Sequence, residues 1–221
     1  MEYKLIRSRR KTIAICINRE GEVVVRAPLR AAQREIDRFV CEKQDWIREK
    51  SAQVMQDAAA RRNLRIGAGS VLPLMGCAYP VKLADHYGFD GICFSVMPQE
   101  QEQMLLQIKH LYRLIAERFI QERIARFSKV MGVTPPGVRI GSANTSWGSC
   151  SAKNRLNFTW KLMMAAPEEI DYVVVHELAH IREHNHSPRF WKLVETVFPD
   201  YRERRKRLAE TGKKLRRQGW G

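Results

Sequence analysis

The stretch VVVHELAHIREHNHSPRFW, residues 173–191, holds four of the chain's six histidines. His176 and His180 frame Glu177 as H-E-x-x-H, and His184 and His186 follow. On a helix, residues four apart lie one turn apart on the same side. Two imidazoles so placed can grip one ion at about 2 Å from each ring nitrogen. Glu177 lies about 100° around from His176. There it can hold a water beside an ion rather than bind the ion itself. This pattern suits metal-assisted hydrolysis, in which the ion polarises the substrate and the carboxylate moves the proton.

A third ligand has to come from beyond the helix. If the helix ran on through His184, that side chain would lie about 12 Å along the axis from His176, out of reach of a shared ion. The segment H-N-H-S-P supplies a corner. Asn185 tolerates the left-handed conformation that ends helices, and Ser187-Pro188 reads as an N-cap followed by a first-turn proline. His186 falls in that corner and is the expected third ligand, with Glu195 on the following helix as the alternative. His184 is expected beside the ligands or exposed. Cys150 reads as a buried structural thiol rather than a nucleophile, and His86 and His110 as ordinary residues. Trp147 reads as core more readily than as a wall for substrate.

The elements that must position these residues are legible in outline. Pro167 suits the first position of a helix, with Glu168 and Glu169 in the first turn, where the dipole favours acids. At 100° per residue, Ile170, Val174, Leu178 and Ile181 cluster on the side opposite His176 and His180. Before that helix, RLNFTWKLM (155–163) alternates strictly and reads as a one-sided strand. VRIGSANTSWGSCSAKN, ahead of it, reads as a second strand and a loop, the two forming a hairpin. Residues 3–26 read as a strand pair turned by NREG. Pro28 is read as opening a long helical stretch to about Arg62. Residues 66–96 suggest short strands and turns. A helix is expected from about Gln99 to Met131, with Met104, Ile108, Leu111, Ile115 and Phe119 on one face and Gly132 at its end.

Composition bounds the classes that remain. The chain has 221 residues and 44% hydrophobic content, ordinary for a globular protein. No apolar run approaches the roughly 20 residues of a membrane span. The opening MEYKLIRSRRKTIAIC lacks the apolar core of a signal peptide. With five cysteines and no C-x-x-C pair, a reduced, cytoplasmic protein is expected. The net charge of +15 is uneven. Residues 1–65 and 187–221 each carry net +7, while residues 131–186, which hold the four histidines, carry equal numbers of bases and acids. Basic ends of this kind attract polyanions such as nucleic acid. A solvated, solubilising surface is the plain alternative.

Residues 146–191, SWGSCSAKNRLNFTWKLMMAAPEEIDYVVVHELAHIREHNHSPRFW, resemble the YgjP-like branch of zincin metallopeptidases, related to the WSS1-like and SprT-like proteases. The resemblance rests on W-G-S-C, the strand with L-N-F-x-W, H-E-L-x-H and N-H-S-P-x-F-W. It implies His176, His180 and His186 as zinc ligands and Glu177 as the catalytic base. It does not settle the substrate: a nucleotide pyrophosphatase label also occurs in the family, and the WSS1-like and SprT-like relatives cleave proteins crosslinked to DNA.

The expected fold is therefore α+β and zincin-like: a small β-sheet packed on an active-site helix, with a β-rich N-terminal segment and long helices. The expected organisation is an N-terminal strand and helix region, 1–98, and a metallohydrolase domain, 99–221. The expected activity is a zinc-dependent metallopeptidase acting on a peptide or protein, including proteins associated with nucleic acid. A metal-dependent nucleotide phosphohydrolase and a nucleic-acid-binding protein with a structural metal are the alternatives. Structural zinc normally has four protein ligands, which argues against the last.

Overall fold

The structure, a computed structural model, describes residues 2–18, 20–144 and 146–221. Two units pack internally, Met1–Leu64 with Lys214–Gly221, and Arg65–Lys213. The expected boundary near residue 98 lies inside the second.

In the first unit, β1 (Lys4–Ser8), β2 (Ala14–Ile17) and β3 (Val23–Pro28) form a sheet of order β1-β3-β2. The β2–β3 hairpin matches the expected strand pair, with Ala14 opposite Arg26 and Ile17 opposite Val23. The third strand, β1, runs parallel to β3; its short, charged sequence carries little alternation to reveal it. Pro28 does not open a helix. It closes β3, where its missing N–H is tolerated at a strand end. Helix α1 (Gln33–Glu42) and helix α2 (Gln44–Asn63) follow, separated at Lys43, which has left helical geometry at φ −102°, ψ 12°. Ile36 and Val40 of α1 and Ile47 of α2 join Val25 and Ala27 in one buried cluster. A break of one residue leaves the apolar spacing almost unchanged, so periodicity cannot locate it.

The second unit begins with β4 (Val71–Leu74), β5 (Cys77–Leu83), β6 (Gly88–Phe89) and β7 (Phe94–Val96), in order β4-β5-β7-β6. Helix α3 (Gln101–Met131) ends as expected at Gly132, whose φ of 62° is left-handed. Its buried stripe runs through Met104, Ile108, Tyr112, Ala116, Ile120 and Ile124, while Ile115 and Phe119 are only half-buried. Strands β8 (Val138–Gly141), β9 (Gly148–Cys150) and β10 (Leu156–Thr159) form a sheet of order β8-β10-β9. The hairpin is β9–β10, and β8 lies parallel to β10 on its other side.

The expected strand over 155–163 stops at Thr159, and Trp160–Met164 form a 3₁₀ turn. Trp160, Leu162, Met163 and Met164 are all buried there. With partners around every side of the turn, alternation no longer means one wet face and one dry one. Trp160 packs on Tyr112 with ring centres 5.6 Å apart, and the Met163 carbonyl accepts from the Met75 N–H at 2.7 Å. Helices α4 (Pro167–Ala179), α5 (Pro188–Val197) and α6 (Tyr201–Arg217) complete the chain. Helix α4 packs on α3, where Arg123 meets Asp171 at 3.1 Å. The architecture is α+β, with a motif-bearing helix beside a small sheet. Among the described residues no helix is long and apolar enough to cross a membrane.

Candidate metal centre

Helix α4 is anchored at its start. Pro167 takes the first helical position, and the Glu169 carboxylate accepts the Ala166 N–H at 3.1 Å. The buried Glu169 also accepts from the Thr211 hydroxyl on α6 at 3.1 Å. Ile170, Val174 and Leu178 are fully buried. They fix the helix rotation, so that His176 and His180 face the other way.

The helix stops sooner than the sequence suggests. Ala179 is its last residue, and His180 caps it at φ −63°, ψ −19°. The next N–H groups tighten onto carbonyls three back, Ile181 to Leu178 and Arg182 to Ala179, both at 3.1 Å. Asn185 is not left-handed; among the described residues outside glycine, only Met75 and Asn154 have positive φ. The corner is therefore made by a tightened last turn rather than by a left-handed residue. Ser187 caps α5 as expected, its hydroxyl accepting the Phe190 N–H at 3.3 Å, and Pro188 follows.

The corner brings His186 back to the helix. Nitrogens of His176, His180 and His186 lie within 4.8 Å of one another. Their ring centres form a nearly equilateral triangle, 4.9, 4.9 and 4.8 Å on a side. The Nε2 atoms of His176 and His186 are 3.0 Å apart. The Nδ1 of His180 lies 3.0 Å from the Glu183 carbonyl; donating there leaves Nε2 as the free lone pair, as ligand histidines commonly arrange. His184 and Glu195 are exposed and stand outside the cluster.

Phe190 is the residue the sequence reading missed. It is fully buried, and its ring centre lies 4.9, 4.5 and 4.8 Å from those of His176, His180 and His186. It forms an apolar base under all three imidazoles. Trp191 stacks on His186 at 5.5 Å and 22°. Both aromatics lie in the S-P-x-F-W run, but spacing alone cannot say which ring faces the histidines.

Burial governs the electrostatics. His176 is pushed down to about 3, first by burial and then by His180, His186 and Arg205. Burial also lowers His180. His176 is thus neutral at pH 7, the form that can bind a cation. Glu177 is only 5% exposed, and burial pushes it up to about 8. Its Oε2 is buried without a hydrogen-bond partner, as is Nδ1 of His176. Gly148 of β9 lies directly against Glu177: a Cβ there would come within 2.7 Å of its Cγ. The glycine of W-G-S-C is therefore part of the site for lack of space. Trp147 is half-buried and lines the pocket beside His176 and Glu177, so it is not simply core. Burial, and next Glu177, raise the Cys150 thiol, which keeps it protonated.

This donor set fits a divalent ion. Two nitrogens held at 2.0–2.1 Å by a tetrahedral ion would be roughly 3.3 Å apart. The 3.0 Å between His176 and His186 needs only a small outward movement. Converging imidazoles, beside a buried carboxylate with an unpartnered oxygen, have the makings of a metal-dependent hydrolase.

Comparison with known proteins agrees. Residues 11–211 match the family described as YgjP-like, metallopeptidase domain, and the chain belongs to that family. It is therefore a metal-dependent hydrolase of the peptidase class. No curated protein matches it. A solved structure, the metallopeptidase zymogen of Pyrococcus abyssi abylysin, is 28% identical, with a TM-score of 0.39, over 41% of this chain and 92% of that one.

Proposed function

We propose that the protein is a zinc-dependent peptidase in which His176, His180 and His186 hold the ion and Glu177 is the general base. The observation that carries this reading is the closed triangle of imidazole rings beside a buried carboxylate. Three histidines leave zinc a fourth position, the arrangement of catalytic rather than structural sites. When bound, the ion supplies Lewis acidity, lowering the pKa of a water and polarising the scissile carbonyl. Glu177 takes the proton from that water and delivers it to the leaving amine. Phe190 keeps water from the underside of the imidazoles, and Glu183 orients His180 through its carbonyl.

Strand β9 is an edge of its sheet and carries Gly148 against Glu177. A peptide adding to that edge in extended form would run its backbone past the carboxylate. The decisive experiment loads the protein with zinc and assays peptides, nucleoside triphosphates and DNA-bound proteins side by side. Peptide cleavage is expected. Glu177→Gln should keep zinc and lose about 10²- to 10⁴-fold in turnover. Near-normal turnover in that variant would remove the mechanism. Hydrolysis of triphosphates without peptides would put the phosphohydrolase in its place.

Proteins bound to nucleic acid are the substrate class that the charge favours. Several bases of α6 are already engaged: Arg204 with Asp200 at 2.9 Å, Arg207 with Glu203 at 3.7 Å and Arg216 with Asp57 at 3.7 Å. Lys206, Lys213 and Lys214 remain exposed. Docking through them would be electrostatic, so affinity should fall by roughly 0.9 log units per log unit of salt for each phosphate neutralised. DNA titrations at two salt concentrations, with wild type and with Gln at those three lysines, test it. Absent binding, salt-insensitive binding or an unchanged variant would sink the docking.

A further inference from the structure

The pocket that opens beside His176 and Glu177 has a volume of about 310 Å³. Trp147, Tyr172, Val173, Leu208 and Ala209 give it apolar walls, and Arg205 is the one Lys or Arg among its lining residues. The Arg205 guanidinium lies 5.3 Å from the centre of the Trp191 ring, the same ring that stacks on His186. One aromatic ring thus separates this cation from the histidine triangle. Its charge reaches the site: it adds to the lowering of His176, after burial and the other two histidines.

The backbone that carries Arg205 is tied down. Thr211 bonds Glu169, and Arg204 donates both to the Glu168 carbonyl at 3.1 Å and to the Asp200 carboxylate. These ties hold α6 against the start of α4. The neighbouring Lys206 is also exposed, but it does not line the pocket. Arg204 and Arg207 have acid partners, whereas among the described residues no hydrogen bond or ion pair engages the Arg205 side chain. It is exposed and stacked on an indole.

Apolar walls with one unpaired guanidinium complement a carboxylate next to an apolar group. Arginine's planar fork matches a carboxylate in two parallel hydrogen bonds, and stacking on an aromatic face preorganises it. A peptide offers that chemistry in two places, at its C-terminal carboxylate or at an acidic side chain beside an apolar one. We propose that Arg205 is a substrate-binding residue that takes a carboxylate of the peptide while the neighbouring apolar side chain enters the pocket. This inference rests on the peptidase reading, and it adds a substrate preference that the family assignment does not contain.

The test uses the full chain, zinc-loaded, with Glu177→Gln to prevent turnover. Short apolar peptides are titrated in matched pairs: a free C-terminal carboxylate against its amide, and an internal Glu against Gln. Tryptophan fluorescence and calorimetry read the binding. The carboxylate member of one pair should bind roughly tenfold tighter, as a charge-assisted hydrogen bond allows. The pair showing the difference identifies the source of the carboxylate. Adding Arg205→Gln should abolish the preference, and Arg205→Lys should restore part of it, with zinc content and thermal stability unchanged in both. Raised salt should shrink the preference. In the cleaving enzyme the same change should raise KM and leave kcat in place. No binding of any peptide, equal affinities within both pairs, or a preference that survives Arg205→Gln would each overturn the proposal. A wild-type protein that cleaves no peptide fails the peptidase reading instead, and the titration still decides the role of Arg205.

Discussion

Gly148→Ala is the most discriminating perturbation of this site, because it changes no charged or ligating group. A Cβ built on Gly148 would lie 2.7 Å from Cγ, 2.8 Å from Oε1 and 3.0 Å from Cδ of Glu177. Carbon atoms at rest approach to about 3.5–4.0 Å, so the Glu177 side chain must retreat by roughly 1 Å. Displacement of a reacting group by about that distance can cost on the order of 100-fold in rate. Overpacking should also lower stability by about 1–3 kcal/mol. The histidines come from α4 and the corner before α5, so zinc should stay. The assay combines kcat/KM on a cleaved peptide, zinc content and thermal unfolding. Activity should fall by about two orders of magnitude with full zinc and a cooperative melt. In a Glu177→Gln background the same glycine change should cost almost nothing further, since the base it displaces is already disabled. Wild-type activity with full zinc, or equal losses in both backgrounds, would refute the reasoning.

Three other expectations follow from the same geometry. His186→Ala should lose most of its zinc and His184→Ala should keep it; metal analysis showing the reverse would exclude the corner histidine as a ligand. Phe190→Ala should destabilise the fold by about 3–5 kcal/mol, as for other buried aromatics, and weaken zinc binding. A melt and metal titration matching wild type would show that the three rings do not rest on it. The metal-free protein should also carry a pH signature from Glu177. Its folded pKa of about 8 stands above the ordinary 4.5, so the stability it contributes is fully present below pH 4.5 and lost as pH rises through 8. The loss could reach about 5 kcal/mol at 1.36 kcal/mol per pH unit. Metal-free Glu177→Gln should lack that loss, so denaturant melts of both at pH 5 and pH 9 should diverge only at the higher pH. Parallel behaviour would mean that Glu177 is hydrated in the metal-free fold.

Much of the site was legible in the chain because local rules wrote it there. Helical geometry alone puts His176 and His180 on one side and Glu177 more than a quarter of a turn from His176, and Ser187-Pro188 announces the next helix. The same rules placed Pro167 at the start of α4 and Gly132 at the end of α3. Local rules fell short where a neighbour decided the outcome. Asn185 was expected to end the helix in a left-handed conformation, but the helix ends at Ala179. A tightened turn there satisfies its last groups and aims Nδ1 of His180 at Glu183. The alternating run 155–163 was expected to be one strand. Its second half became a 3₁₀ turn because Tyr112 and Met75 receive it from outside the sheet.

The sequence by itself determined the helix that bears the motif, the placing of His176, His180 and Glu177 on it, and the excess of positive charge toward both ends, since each depends only on residue identity and spacing of a few positions. The tertiary structure alone decided that Phe190 underlies the three imidazoles, that Gly148 leaves the room Glu177 occupies, and that Arg205 stands unpaired at the pocket beside them. Apart from Phe190 and His186, these contacts join segments between ten and several tens of residues apart. Such contacts are set by how α4, α5, α6 and the β9 edge pack together, and no local periodicity encodes that packing.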